Sequence, residues 1–215
     1  MLKLLVIGAT RGTGRQVMQQ ALAAGHAVVA LARDPARIDV PKDLRDQWLS
    51  VVRGDVLDPS SLAPAMADRD AVISTLGVTG RAPTTLYSEG MRNIIQAMRT
   101  TGVRRLVAVS AAPLSGDDGD TLPSRLLLTP LLWALLRPVY ADMARMEDEI
   151  RQSGLDWTIM RPPRLTDKPP TGRYRTALNR RVRGGYTISR ADLAAAILTL
   201  LDDPTASHAA IGIGY

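Results

Sequence analysis

Gly8, Gly12 and Gly14 stand in the spacing G-x-x-x-G-x-G, directly after the apolar run Leu4-Leu5-Val6-Ile7 and just before the helix-like stretch Gln16 to Ala24. A strand, a glycine turn and a helix in that order can hold a pyrophosphate. Glycine reaches positive φ and lets a phosphate approach the main chain with no Cβ in the way. The amide N–H groups opening the helix then meet the negative charge, helped by the helix dipole. Thr10, Arg11 and Thr13 fill the turn and are counted with the three glycines as cofactor-binding, Arg11 as a cation within reach of a phosphate.

A second strand is expected over His26 to Ala32, ending in Arg33-Asp34-Pro35-Ala36-Arg37. In a dinucleotide site this is where the ribose is read. A carboxylate accepts hydrogen bonds from the ribose of NAD, whereas a guanidinium pairs with the 2′-phosphate of NADP. Arg33 and Arg37 favour NADP(H) over NAD(H). Asp34, one residue on, argues the other way, and a turn solvated by two arginines is the plain alternative.

Ligands of parallel sheets bind beyond the carboxyl ends of the strands, so strand-closing residues were compared next. Asp55 and Val56, in Gly54-Asp55-Val56, are placed at an adenine ring, the carboxylate accepting from its amino group. Leu76 and Gly77 close a later strand where the dinucleotide would cross the sheet. Ser110 brings a hydroxyl to the expected nicotinamide end and is the catalytic candidate. Arg161-Pro162-Pro163-Arg164 closes a further strand, where Pro162 stiffens the wall of the cofactor site. Arg164 either holds an anionic acceptor or makes a surface ion pair.

The elements that must position these groups alternate. Strands are expected at Trp48 to Val52, Ala71 to Ser74, Arg104 to Ser110 and Trp157 to Met160. Helices are expected from Asp58, over Thr85 to Arg99, and over Asp192 to Leu201 with Ser189 as N-cap. That order predicts an α/β fold, a single doubly wound domain over residues 1–215, with a mainly parallel sheet and helices on both faces. With 46% hydrophobic and 22% charged residues in 215, one core of that kind is sufficient.

Cysteine is absent and the two histidines, His26 and His208, are far apart, which excludes disulfides and thiolate metal sites and argues against a metal site. The apolar start is too short for a signal-peptide core, so a cytoplasmic protein is expected. The net charge is +6, and lysine occurs only at Lys3, Lys42 and Lys168. A basic surface suits an anionic partner. Nucleic acid is not expected, because aromatics are 4% of the chain and phenylalanine is absent. The cluster Arg173, Arg175, Arg180, Arg181 and Arg183 reads as a solvated loop or hairpin. Residues 115–140 read as an apolar insertion within the domain. Its run Leu126 to Leu136 contains Pro130 and is too short to span a bilayer, leaving a lid, a subunit interface or core as its uses. The acidic turn Gly116 to Asp120 precedes it. The chain is expected to be a monomer or homodimer.

Across nearly its whole length the chain resembles the atypical short-chain dehydrogenase/reductases, and most closely their biliverdin-IXβ reductase, or flavin reductase, branch. The resemblance is carried by Gly8 to Gly14, Leu31-Ala32-Arg33-Asp34, Gly54-Asp55-Val56-Leu57, Pro83-Thr84-Thr85, Ser88-Glu89-Gly90, Arg92-Asn93-Ile94, Ser110-Ala111, Ser153-Gly154-Leu155 and Pro162-Pro163. It implies a Rossmann domain that binds NADPH beside a shallow cleft admitting flavins or other planar acceptors. Leu114 and Tyr140 are expected beside Arg164 at the acceptor. Arg11 stands where the branch has glycine, and Arg164 where it has a histidine. The tyrosine-x-x-x-lysine pair of ordinary short-chain dehydrogenases is missing: Tyr140 is followed by Ala144, and Tyr186 by Arg190.

With no lysine to lower a tyrosine pKa, the expected mechanism is hydride transfer by proximity, with water supplying any proton. The expected function is an NADPH-dependent reductase of a small planar acceptor such as a flavin or quinone. The alternatives are a non-enzymatic redox sensor of the NmrA-like type and an isomerase or epimerase on the same scaffold.

Overall fold

The computed structural model describes residues 1–40, 48–78, 80, 82–115 and 129–215, the side chains of 129–136 excepted. Its elements are β1 (Lys3–Ile7), α1 (Gly12–Ala23), β2 (Ala27–Ala32), β3 (Leu49–Arg53), α2 (Ala63–Met66), β4 (Ala71–Ser74), α3 (Leu86–Thr101), β5 (Arg105–Val109) and α4 (Thr129–Arg151). They continue with β6 (Asp156–Arg161), β7 (Arg164–Thr166), β8 (Arg175–Leu178), β9 (Thr187–Ser189), α5 (Arg190–Thr199) and β10 (Ala209–Gly214).

One sheet has the order β3-β2-β1-β4-β5-β6-β10-β8, and β7 and β9 form a second, parallel pair. All pairings in the large sheet are parallel except β8 on β10. The first six strands are in the doubly wound order, which reverses direction between β1 and β4 and opens a crevice there. Period-two alternation separates the two faces: Leu4 and Val6 of β1 join one core with α1 and α5, and Leu5 and Ile7 join the other with α2, α3 and α4. The Rossmann architecture and its doubly wound sheet are therefore as the alternation of elements predicts.

Local signals behave as their chemistry requires. Asp58 caps a 3-10 turn over Pro59–Ser61, accepting from the Ser60 N–H at 3.1 Å. Ser189 caps α5, accepting from the Asp192 N–H at 2.9 Å. A long-range cap holds α3: the buried Asp142 of α4 accepts from the Tyr87 N–H at 2.9 Å and from the Ser88 hydroxyl. Pro130 falls in the first turn of α4, where its missing N–H interrupts nothing. The acidic turn Gly116 to Asp120 lies outside the described residues, as do residues 126–128 and every side chain of the apolar run Leu126 to Leu136.

The carboxyl-terminal third departs from the expected pattern, since β7 to β10 were not anticipated. In the arginine cluster read as a solvated loop or hairpin, Arg173, Arg175, Arg180 and Arg183 are exposed, and Arg175 opens β8 and donates to the carbonyls of Arg183 and Tyr215 at 3.0 and 2.6 Å. Arg181 donates from Nε to the Ala112 carbonyl at 2.7 Å. His208 lies just before β10, its ring edge-on to Trp157. His26 accepts the Leu2 N–H at 3.1 Å. No helix among the described residues is long and apolar enough to cross a membrane.

Asp192 ties this third together. Its buried carboxylate accepts from the Tyr215 hydroxyl at 2.6 Å, the Thr171 hydroxyl at 2.9 Å, and the N–H groups of Thr171 and Gly172. Burial pushes its pKa up, but these donors win and hold it at about 2. The folded-state value lies below the unfolded one, so the stabilisation is complete above about pH 4 and is lost as pH falls through 2. Asp192→Asn is expected to cost about 2 kcal/mol at pH 7 and to flatten the loss of stability between pH 4 and 2, measured by urea unfolding.

Candidate functional site

The crevice at the reversal of strand order is a cleft of about 730 Å³ running along the carboxyl ends of β3, β2, β1, β4 and β5. That volume is in the range of small-molecule sites. Its middle is the turn between β1 and α1. Gly8 has φ +87° and Gly12 φ +58°, both in the left-handed region that glycine tolerates. Gly14 is needed for a different reason: a Cβ there would lie 2.3 Å from the Gly8 carbonyl oxygen and 2.4 Å from Thr75 Oγ1. Thr75 donates from both its N–H and its hydroxyl to the Ile7 carbonyl, at 2.9 and 2.8 Å, fixing the floor of the cleft. The N-cap residue of α1, Arg11, makes no side-chain cap and no residue of the first turn is acidic, so among the described residues its leading N–H groups are open to a ligand.

One end of the cleft is basic. Arg33 and Arg37 line it, and neither guanidinium has an ion-pair partner among the described residues. Asp34 does not line it; its carboxylate accepts from the Ala36 N–H at 3.2 Å and caps the Pro35–Arg37 turn. Beside the arginines, the Gly54-Asp55-Val56 turn is held by Ser61, which accepts the Asp55 N–H at 3.0 Å, and by Asn93, whose amide donates to the Val56 carbonyl at 2.9 Å.

The other end is mostly apolar. Tyr87, Val109, Met143 and Leu165 line the cleft with Ser110, whose buried hydroxyl has no hydrogen-bond partner among the described residues. An orphaned buried hydroxyl at a cleft is an unmet demand that a bound amide can satisfy. Tyr87 accepts the Val78 N–H at 3.2 Å, and burial raises its pKa, helped by the Asp142 charge, so it stays a neutral phenol. Behind β6, Arg161 and Glu147 form a buried bidentate pair that locks α4 to the strand end.

A family described as NAD(P)H-binding matches residues 8–204. The chain belongs to that NAD(P)H-binding family. Among curated relatives, an uncharacterised chloroplastic protein of Arabidopsis thaliana is 35% identical over 179 residues, 79% of this chain and 61% of its own length. The photosystem II assembly factor Ycf39 of Synechocystis is 33% identical over 51% of this chain, which spans only 33% of that protein. Among solved structures, the anaerobilin reductase ChuY of Escherichia coli O157:H7 is 25% identical with a TM-score of 0.73, covering 98% of this chain and 96% of its own. A Veillonella parvula short-chain dehydrogenase/reductase in complex with NADP superposes with a TM-score of 0.84 over 100% and 94% of the chains, at 20% identity.

In this NAD(P)H-binding chain the cleft brings together Gly8, Thr10, Arg11, Gly12, Thr13, Arg33, Arg37, Asp55, Val56, Leu76, Gly77 and Ser110. Five other expected site residues lie off its lining. Gly14 is packed beneath the turn, and Pro162 is buried with its carbonyl accepting the Ala112 N–H at 2.9 Å. Arg164 is exposed on β7, where alternation turns its neighbour Leu165 to the cleft instead. Leu114 sits in a 3-10 turn after Ser110, and Tyr140 is half-buried on α4, one turn before Met143. Tyr87, Met143, Leu165, Asp167 and Arg190 line the cleft without having been expected there. The Tyr186-x-x-x-Arg190 spacing was the one sequence hint of Arg190.

Gly14→Ala is expected to destabilise the fold by about 1–3 kcal/mol through overpacking. Gly77→Ala, whose Cβ would meet nothing within 4 Å, is expected to stay within about 0.5 kcal/mol of the parent. Thermal unfolding of the two variants checks the contrast.

Proposed function

We propose that the chain is an NADPH-dependent oxidoreductase that passes a hydride to a small planar acceptor such as a flavin or quinone. The observation that carries the reading is the cleft itself: cations without ion-pair partners at one end, an uncapped helix start over a glycine turn in the middle, and an orphaned hydroxyl at the other. In this reading Arg33 and Arg37 take the 2′-phosphate, and Asp55 and Val56 the adenine. Gly8, Thr10, Arg11, Gly12 and Thr13 take the pyrophosphate. Leu76 and Gly77 flank the crossing of the sheet, and Ser110 orients the nicotinamide carboxamide. That Arg33 and Arg37 line the cleft while Asp34 does not supports NADP over NAD.

Bound NADPH would supply a hydride from its nicotinamide ring. The chain's part is to hold the ring at the Ser110 end and to present an apolar wall of Val109, Met143 and Leu165 against which a flat acceptor lies. No histidine or lysine among the described residues lines the cleft, and burial raises the pKa of Tyr87 and makes it a poorer proton donor, so acceptors that need little acid catalysis suit it best. That ChuY is a reductase, and that the Veillonella structure contains NADP, agree with this reading.

The same shortage of acid–base groups favours, as a second reading, a dinucleotide sensor of the NmrA-like type. Oxidation of NADPH in the presence of flavins, quinones or bilins separates the two. Turnover with any of them supports the reductase, and tight binding with no oxidation by any supports the sensor. Arg33→Ala is expected to weaken NADPH binding about tenfold or more while leaving NADH within about twofold, measured by fluorescence titration. Equal losses for both would show that Arg33 does not read the 2′-phosphate.

A further inference from the structure

Arg190 is the first residue of α5, far in sequence from the glycine turn, yet its side chain lies across that turn. A Cβ placed on Gly12 would sit 3.4 Å from Arg190 Nε and 3.7 Å from its Cδ. Its ion-pair partner is Asp167, also on the cleft wall, at 2.7 Å. The Asp167 side chain is 87% exposed, and a pair so open to water contributes little stability.

The position of Arg190 is therefore not explained by what it does for the fold. A cation beside a helix start is electrostatically unfavourable, and Arg190 stands near two, those of α1 and of its own helix. The first turn of α1 holds no acidic residue to offset it, and Arg11 adds a second positive charge at the same turn. An anion bound between the guanidinium and the α1 amides would be attracted by both.

We infer that Arg190 is a ligand of the dinucleotide pyrophosphate, reaching over Gly12 from α5 and leaving Asp167 when the diphosphate arrives. The inference rests on the NAD(P)H reading of the cleft and adds to it a cation that clamps the diphosphate from the side opposite the glycine turn. Gly12 then has two duties, positive φ and clearance for this side chain.

Because the pyrophosphate is common to both coenzymes, Arg190→Ala is expected to weaken NADPH and NADH by the same factor, about tenfold. Competition by adenosine 2′-monophosphate, which has no diphosphate, is expected to stay within about twofold of the parent. Arg190→Lys, which keeps the charge, is expected to recover part of both affinities. Asp167→Asn is expected to tighten both about twofold, since it releases Arg190 and removes a negative charge facing the ligand. Dissociation constants for the two coenzymes by calorimetry, with the fragment as competitor, decide the matter. Arg190→Ala unchanged for both, a parallel loss of adenosine 2′-monophosphate, or a loss in Asp167→Asn matching that in Arg190→Ala would each overturn the inference while leaving the cleft's function standing. A parent chain that binds neither coenzyme would overturn the underlying reading and this inference with it.

Discussion

The close crossing of the chain at Gly8, Gly14 and Thr75 is the constraint on which the remaining structure depends. Helix α1 approaches the ends of β1 and β4 so nearly that no side-chain carbon fits at Gly14, and the two donors of Thr75 both converge on the Ile7 carbonyl. The start of α1 is thereby set against the point where strand order reverses. Its uncapped amides face the crevice rather than solvent or core. Had the helix stood one side-chain layer further out, the sheet could still have formed, but the amides and the strand ends would not share a cleft.

Electrostatics builds on that placement. The cleft collects Arg11, Arg33, Arg37 and Arg190, together with the positive end of α1. Two of the carboxylates nearby each commit one oxygen to local structure: Asp34 caps a turn, and Asp55 accepts the Leu57 N–H at 3.1 Å. Asp167 is the exception, being exposed and engaged with Arg190. Part of the chain's +6 balance is thus gathered on the lining of the cleft.

Much of the fold was legible because its signals are local. The turn glycines follow from φ and clearance, the strand Leu4 to Ile7 from an apolar run, and the caps Asp58 and Ser189 from single side chains beside a helix start. The end of the chain was not legible, for reasons that are equally physical. Strand β10, Ala-Ala-Ile-Gly-Ile-Gly, is fully buried, but four of its six residues are alanine or glycine and it shows no alternation of polar and apolar residues. Gly212 within it is required by the backbone of Arg180, whose carbonyl oxygen would lie 2.2 Å from a Cβ, a neighbour that only the folded chain provides. Strand β8 is largely exposed and arginine-bearing, so it reads as loop until it is paired with β10. The site divides in the same way. Residues at the strand ends of the first half line the cleft where their positions put them, whereas Tyr87, Met143, Leu165 and Arg190 reach it from elements whose packing no short window of sequence encodes. Arg164 illustrates the limit: the strand before the paired prolines ends at Arg161, and Arg164 instead opens β7, where alternation gives the cleft to Leu165.

The most direct test of the account is an amide-resolved NMR titration of the 15N-labelled chain with NADPH. Saturable shifts centred on the N–H groups of Gly12, Thr13 and Gly77 are the predicted result, because these lie where the α1 start meets the crevice. Absence of shifts at that turn, or shifts centred instead on the arginine-lined groove of about 540 Å³ over residues 175–183, would contradict it.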